Sequence, residues 1–312
     1  LHSFPTRRSS DLLDLLCESC QESRGAGRKR LTMSDLMQTS SSPKTRKMLP
    51  VGHYRGLSAW TVGFFIFLYL PIVVLIFYSF NANRMVMNWG GFGIDWYIKA
   101  FNNADIQKAV WNSLVVATVA TGVATAIATI GALVLARGGN FRGKTASLGL
   151  ITLPLMVPEI VTAVAVLIFF SAIGMNLGLG NVIIAHITFC IPFAFMPIRA
   201  RLEGMDTNLE QAARDLYASE WETFRFVTMP LLMPGIVAGA MLSFVISMDD
   251  FIITLMVGGA GSTTLPVYIY SMIRRGLTPE INAVSTMLLL ASIAIVTAYW
   301  ILSKKTQNTV KR

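Results

Sequence analysis

Charged residues are scarce in this chain. They make up 14% of its 312 residues, whereas an ordinary soluble domain contains about 25%. Hydrophobic residues make up 54%. Because a soluble α/β domain interrupts its apolar segments with surface charge every few residues, this composition excludes an ordinary soluble protein. It is typical of a chain that crosses a membrane several times.

Residues that perform catalysis or bind metals are also few. The chain has three cysteines and three histidines. Cys17 and Cys20 form a CxxC pair, but no second pair completes a zinc site. Cys190 and His186 lie in an apolar segment, where we interpret the thiol as a small apolar residue and the ring as a packing residue. No Ser/His/Asp or paired-carboxylate arrangement indicates catalysis, so we expect no enzyme activity, no cofactor and no metal site.

One phosphate-binding pattern is present in an unsuitable context. Residues 138–145 fit the motif GxxxxGK[ST], which holds a nucleotide only between a β-strand and a helix of an α/β domain. Here a short loop between two apolar segments carries the motif. We therefore interpret it as a tight basic turn and not as an ATP site.

Long apolar segments are the main feature that the sequence does have. A bilayer core is spanned by about 20 apolar residues in a helix. We predict six such spans, at residues 58–80, 113–135, 148–172, 181–198, 231–257 and 283–303. The predicted fold class is an all-α polytopic membrane protein with six transmembrane helices. Residues 33–57 and 304–312 are predicted to be tails.

The basic residues between the spans predict the orientation. Fifteen of them lie in tails and loops that share one side, and five lie on the other side: Arg84, Lys99, Lys108, Arg274 and Arg275. An excess of Lys and Arg marks the cytoplasmic side, so both termini are predicted to be cytoplasmic. The net charge of +9 reflects this topology. Because no soluble basic domain is available, we expect no nucleic-acid binding.

We predict that residues 1–32 do not contribute to the fold. Residues 3–12 read like one frame of a sequencing adapter, and non-native segments are set aside before a fold is inferred. Met33 is a candidate start. The alternative is a genuine disordered basic tail.

Three acidic residues interrupt the predicted spans: Glu159, Asp249 and Asp250. A charge at the bilayer centre costs at least about 2.5–3.5 kcal/mol, so such a residue normally faces the interior of the bundle or an aqueous path. We predict a substrate path lined by these acids; the alternative is purely structural pairing. In a continuous third helix, Glu159 would lie about 16 Å deep, near the midplane.

A polar segment at residues 201–230 separates the fourth and fifth spans. It contains Gln211-Ala212-Ala213 and then Tyr217, and it ends at Pro230. It resembles the cytoplasmic coupling loop of bacterial ABC importer permeases, whose pattern is Glu-Ala-Ala, three residues, Gly, and later Ile-x-Leu-Pro. Gln211 replaces the usual Glu, Tyr217 replaces Gly, and residues 227–230 replace the ending. Residues 247–251 and 265–272 resemble the spermidine/putrescine branch of that family.

The resemblance covers residues 58–303 and implies a type I ABC importer permease fold in a bacterial inner membrane, with the core at about residues 110–303. It implies half of a pore for polyamines or a related small amine, with Asp249 facing the pore and Asp250 held by a partner in the bundle. The implied partners are a second permease subunit, two copies of a cytoplasmic ATPase that hydrolyses the ATP, a periplasmic solute-binding protein and the lipid bilayer. The residues that would couple to the ATPase are Gln211, Ala212, Ala213, Asp215, Tyr217, Phe224 and Pro230.

Within that segment, Ala212 and Ala213 would allow close approach of a partner, and Phe224 would be a buried anchor. Because Tyr217 stands where Gly is usual, we expect neighbouring residues to form a β-turn. Pro230 is tolerated in the first turn of the fifth helix. The segment could instead only cap the bundle. The alternative functions are a secondary transporter or channel that uses the acids, and a membrane scaffold.

Overall fold

A computed structural model of the chain describes residues 55–84, 88–276 and 278–310. The chain divides into two compact units, Leu1–Phe64 and Phe65–Arg312. Helix α1 (Arg55–Ser79) contains the described part of the first unit and continues into the second. The segment predicted to be non-native, the CxxC pair, most of the predicted N-terminal tail and residues 311–312 lie outside the described residues.

The second unit is helical throughout its described length, apart from its turns and one isolated bridge between Asn81 and Phe92. This confirms the all-α prediction for the part of the chain that the structure describes. A 3₁₀ turn (Leu153–Leu155) begins after Thr152, and a π-helical segment (Phe224–Thr228) begins after Thr223. The helices after α1 are α2 (Asp95–Asn102), α3 (Ala104–Arg137), α4 (Lys144–Thr152), α5 (Glu159–Ala172), α6 (Leu179–Glu203), α7 (Asn208–Asp215), α8 (Glu220–Thr223), α9 (Met229–Asp249), α10 (Ile252–Val257), α11 (Leu265–Arg275) and α12 (Pro279–Val310).

Five stretches of described helix are long and apolar enough to cross a membrane, in α1, α3, α6, α8 to α9, and α12. Helices α4 and α5 are together long and apolar enough for a sixth crossing, but the chain bends by 106° between them. The third predicted span is therefore not a continuous helix, contrary to expectation. Pro158 has an extended ψ of 133° just before α5, and a proline disfavours helical geometry in the residue before it. The depth inferred for Glu159 from a straight helix does not hold, since Glu159 opens α5 at the bend.

The fifth predicted span is interrupted as well. Helix α9 ends at Asp249, Asp250 is extended with ψ 130°, and α10 begins at Ile252. The other predicted spans are continuous, and α3 and α12 extend well past the boundaries predicted for them.

Small residues hold the centre of the bundle together, where α3, α6 and α9 pack against one another. On α9, every fourth residue from Gly235 to Ser247 is buried: Gly235, Gly239, Ser243 and Ser247. A Cβ atom on Gly239 would lie 2.6 Å from the carbonyl oxygen of Ala194 on α6. The matching stripe on α3 is mostly alanine: Val116, Ala120, Ala124, Ala128 and Ala132. Small residues at this spacing let helix backbones approach closely within a membrane.

The start of α3 fastens the segment before α11. The side-chain amide of Asn112 donates to the carbonyl oxygens of Gly261 and Thr263, at 3.0 Å each. The hydroxyl of Ser113 accepts from the backbone N–H of Leu265 at 2.8 Å. Three backbone groups in the turn that leads into α11 are thus satisfied by two adjacent side chains of another helix.

Candidate functional site

The three acids predicted from the sequence lie close together, at the two helix breaks. Glu159 opens α5 at the bend, and Asp249 and Asp250 stand where α9 ends. The carboxyl group of Glu159 is near enough to those of Asp250 and Asp249 to interact with both electrostatically. Residues 90 positions apart in the chain thereby form one acidic group, because both helices break at the same place in the bundle.

Asp250 is the buried member of the group, with 6% of its surface exposed. Its carboxylate accepts from the backbone N–H groups of Ile253 (3.3 Å) and Thr254 (3.0 Å) and from the Thr254 hydroxyl (3.1 Å). These bonds stabilise the first turn of α10, whose N–H groups have no intrahelical partners. Asp250 therefore has hydrogen-bond partners within the bundle.

His186 of α6 is the other partner of Asp250. Its Nε2 lies 3.2 Å from Asp250 Oδ2 and 3.0 Å from the Thr254 hydroxyl, while its Nδ1 lies 2.8 Å from the Ser247 hydroxyl. The ring is fully buried. A neutral ring that donates from Nε2 accepts from Ser247 at Nδ1, so both nitrogens are satisfied. This agrees with the interpretation of His186 as a packing residue.

Asp249 and Glu159 differ from Asp250 in accessibility. Asp249 is exposed and Glu159 is half-buried, so both residues are more accessible than Asp250. The buried residues Ser247 and Thr254 bind His186. The sequence analysis did not assign them to the site, because serine and threonine are common in apolar helices. Only their spacing of three and four residues from Asp250 could have signalled them.

The polar segment between α6 and α9 is not one helix. Helix α7 ends in a Schellman-type turn, in which the N–H of Ala218 donates to Ala213 and that of Tyr217 to Arg214. Tyr217 itself has a φ of 62°, the left-handed conformation that glycine adopts most easily. The expected β-turn of neighbouring residues is therefore wrong, since Tyr217 takes the glycine conformation directly. Ser219 and Glu222 then form a capping box at the start of α8.

The side chains of this segment differ in exposure. Phe224 is half-buried against Trp221, with ring centroids 5.6 Å apart. Ala213 is half-buried, and Pro230 stands in the first turn of α9, as expected. The exposed predicted residues are Gln211, Ala212, Asp215, Tyr217 and Pro230. Sequence reasoning missed four apolar side chains that are also exposed here: Leu216 (81%), Phe226 (70%), Trp221 (64%) and Leu209 (48%).

Glu210, which the sequence analysis also missed, lies where α7 meets two other elements. Its carboxylate binds Arg137 Nε, at 3.2 Å from Oε1 and 3.1 Å from Oε2. The hydroxyl of Thr228, in the π-helical segment, donates to Oε1 at 3.1 Å. Arg137 is the last residue of α3. Hereafter Glu210, Arg137 and Thr228 are called the clasp.

The phosphate-binding pattern at residues 138–145 forms a helix–loop–helix connection. It follows α3, where a P-loop requires a β-strand, and Gly143 precedes α4 with a φ of 96°. The Lys144 ammonium donates to the carbonyl oxygen of Gly139 at 3.1 Å. The lysine thus stabilises its own turn, which agrees with the interpretation from the sequence.

Comparisons with known proteins bear on this arrangement. The sequence profile of the family described as "Binding-protein-dependent transport system inner membrane component" matches residues 128–307. The chain is 38% identical, over 78% of its length and 94% of the relative's, to the spermidine/putrescine transport system permease protein PotC of Haemophilus influenzae. It is 36% identical, over 79% of its length and 90% of the relative's, to the putrescine transport system permease protein PotI of Escherichia coli K12.

The fold has solved counterparts as well. A chain of a bacterial alginate ABC transporter, solved with an alginate pentasaccharide-bound periplasmic protein, matches with a TM-score of 0.63. The match covers 80% of this chain and 92% of that one, at 16% identity, and so concerns the fold alone. The family match and the long apolar helices indicate a multi-pass inner-membrane transport component. The chain belongs to the family of binding-protein-dependent transport system inner membrane components.

Proposed function

We propose that this chain forms one half of the translocation pore of an ATP-driven importer for polyamines such as spermidine and putrescine. The observation that carries the proposal is the group of three acids at the helix breaks, in a chain closely related to permeases named for those substrates. A polyamine carries several ammonium groups. Spaced carboxylates can offset part of its dehydration without binding it so tightly that it cannot leave.

Asp249 and Glu159 are the two acids that would meet the substrate. Both are accessible at the surface of this chain, and a second permease subunit packed over them would enclose a pore between the two proteins. Asp250 would not contact the substrate, since its carboxylate binds His186 and Thr254. In this proposal Asp250 stabilises the helix break, and Asp249 and Glu159 line the substrate path.

The remaining partners follow from the family and from the coupling segment. A periplasmic solute-binding protein would deliver the substrate, and two copies of a separate cytoplasmic ATPase would bind the two coupling segments of the assembled importer. The excess of Lys and Arg supports cytoplasmic termini and a cytoplasmic coupling segment. The exposed side chains of Leu216, Tyr217 and Trp221 supply the apolar surface that a groove on the ATPase would cover.

Transport would proceed by rigid-body gating around the fixed acids. ATP binding closes the ATPase pair and draws the coupling segments together, which turns the pore from inward-facing to outward-facing; hydrolysis resets it. Switches of this kind use packed elements with two discrete arrangements. A secondary transporter or channel would also use intramembrane acids, but it would have no need of a coupling segment, and a scaffold would have no need of the acids.

The test is uptake by the complete importer in proteoliposomes, with labelled spermidine or putrescine outside and ATP inside. Glu159→Gln and Asp249→Asn should lower uptake several-fold, because each removes a charge from the path. Glu203→Gln is the matched control and should leave uptake unchanged, because the ion pair of Glu203 with Arg199 lies within α6. Wild-type uptake in both variants would remove the case for a cation path. A wild-type complex that takes up neither polyamine would refute the substrate.

A further inference from the structure

The coupling helix α7 is held to the rest of the protein by polar contacts. It contains no buried residue. A cavity of about 370 Å³ separates it from the end of α3 and from the π-helical segment; Leu133, Arg137, Glu210, Phe224 and Thr228 line this cavity. Since a void provides no dispersion contacts, side-chain packing does not fix the position of α7 here.

The clasp crosses that gap. Glu210 is the half-buried residue of α7 whose carboxylate reaches both the end of α3 and the segment that begins α9. Its side chain is 14% exposed and that of Arg137 is 27% exposed, so water screens this pair less than a pair on the open surface. Charge-assisted bonds of this kind are about twice as strong as neutral ones. The other ion pair of α7, Arg214 with Glu220, is largely exposed and therefore contributes little.

The guanidinium of Arg137 depends on Glu210 for its hydrogen bonds and its counter-charge. Its Nη2 atom is buried and has no hydrogen-bond partner within the described part of the chain. Loss of the Glu210 carboxylate would leave a largely enclosed guanidinium without its counter-charge, which costs more than the loss of a surface pair. The position of α7 against the end of α3 thus keeps this guanidinium paired.

We propose that Glu210 is a positioning residue for energy coupling: through Arg137 and Thr228 it fastens the coupling helix to α3 and α9, so that a displacement of α7 moves both helices. The inference rests on the proposed contact between this segment and an ATPase. It assigns the transmission of movement to the clasp, while the exposed side chains of the segment bind the ATPase. Because α3 and α9 both pack closely on α6, a pull at this one point reaches the three central helices together.

The first test is the amount of substrate transported per ATP hydrolysed by the assembled importer. Glu210→Ala and Arg137→Ala should each lower this ratio about fivefold or more, the range of a typical coupling energy, while ATP hydrolysis continues. Glu210→Gln, which keeps an acceptor for both partners, should restore part of the ratio. The control is Glu203→Ala, which removes an ion pair (Arg199–Glu203, 2.7 Å) within a single helix and should leave the ratio unchanged.

The double variant distinguishes a shared action from two separate ones. If the two residues act as one unit, Glu210→Ala with Arg137→Ala should be no worse than either single variant. Additive losses, or wild-type ratios in the single variants, would overturn the proposal. The proposal is also overturned if the two single alanine variants of the clasp, their double variant and Glu210→Gln all fail to assemble with the ATPase. The clasp would then be needed for folding and not for coupling.

A second measurement requires no transported substrate. Spin labels at Val134 on α3 and Asn208 on α7 report the distance across the clasp in the assembled complex. The distance should be the same without nucleotide and with bound ATP, and it should broaden or shift with ATP in Glu210→Ala. A distance that changes with ATP in the wild-type complex would contradict a rigid clasp. This result stands even if the wild-type importer rejects polyamines, so the two proposals fail separately.

Discussion

Nε2 of His186 lies 3.2 Å from Oδ2 of Asp250, and both side chains are 1% exposed. The contact joins the middle of α6 to the point where α9 ends and α10 begins. Without it, Asp250 would bring a carboxylate into an apolar bundle with only the hydrogen bonds of its own following turn. The helix break beside Glu159 therefore depends on a residue from a third helix.

His186→Ala should destabilise the protein by about 1–2 kcal/mol, since it removes one donor from the buried Asp250 carboxylate and leaves the buried Ser247 hydroxyl without its acceptor. The measurement is thermal unfolding of the purified protein in detergent. Thr188→Ala on the same helix is the control: its hydroxyl is exposed and bonds only to its own helix, at the carbonyl of Ile184. Equal unfolding temperatures for the two variants would mean that the His186–Asp250 contact adds nothing to stability.

Tyr217→Gly should stabilise the turn after α7 by about 1 kcal/mol, because glycine adopts a φ of 62° without the clash of a Cβ atom. Tyr217→Val should destabilise it, since a β-branched residue is a strong outlier in that region. Hydrogen exchange at the N–H of Ala218, which closes the turn onto Ala213, reports the change. Leu216→Gly, at a φ of −87°, should bring no stabilisation. A faster exchange at Ala218 in Tyr217→Gly than in the wild type would contradict the prediction.

Gly239→Ala should destabilise the protein by about 1–3 kcal/mol, because its Cβ would meet the backbone oxygen of Ala194 at 2.6 Å and force α6 and α9 apart. Gly122→Ala is the matched control on α3, where an added Cβ meets nothing within 4 Å. There the better helix propensity of alanine should stabilise slightly. Thermal unfolding of both variants checks the prediction, and a neutral Gly239→Ala would show that the two helices are not in close contact.

Asn112→Asp should loosen the turn before α11. The substitution replaces the amide that donates to Gly261 and Thr263 by a carboxylate facing the same two carbonyl oxygens, so two hydrogen bonds become two repulsive contacts. The N–H of Leu265, held by the neighbouring Ser113, should then exchange faster with solvent. Gln107→Glu, an exposed amide one turn earlier on α3, should have no such effect. Unchanged protection of Leu265 in Asn112→Asp would show that the turn is held by other contacts.

Much of the fold could be predicted from the sequence, because the signal for a membrane span is strong: a long apolar segment has few other stable structures. The helix breaks could not. Residues 148–172 have the composition of one span, and whether Pro158 kinks a helix or ends it depends on the helices packed around it. The same holds for Asp250, whose exit from α9 is stabilised by His186 of another helix.

The acids of the candidate site could be predicted because any charge within an apolar segment is conspicuous. Their grouping could not, since it results from two helix breaks that coincide in space. Glu210 was missed for the opposite reason. An acid in a polar segment is unremarkable, and the alignment of the coupling pattern directs attention to Gln211, the residue next to it.

The small residues at the centre of the bundle have a consequence for the energetics of switching. Alanine and glycine have no rotamers to lose or regain, whereas a long side chain loses up to about 2 kcal/mol of entropy when it is fixed. The contact between Gly239 and Ala194 therefore has the same side-chain entropy in every arrangement of the pore. Any difference in side-chain entropy between two states of this protein must therefore arise where larger side chains repack.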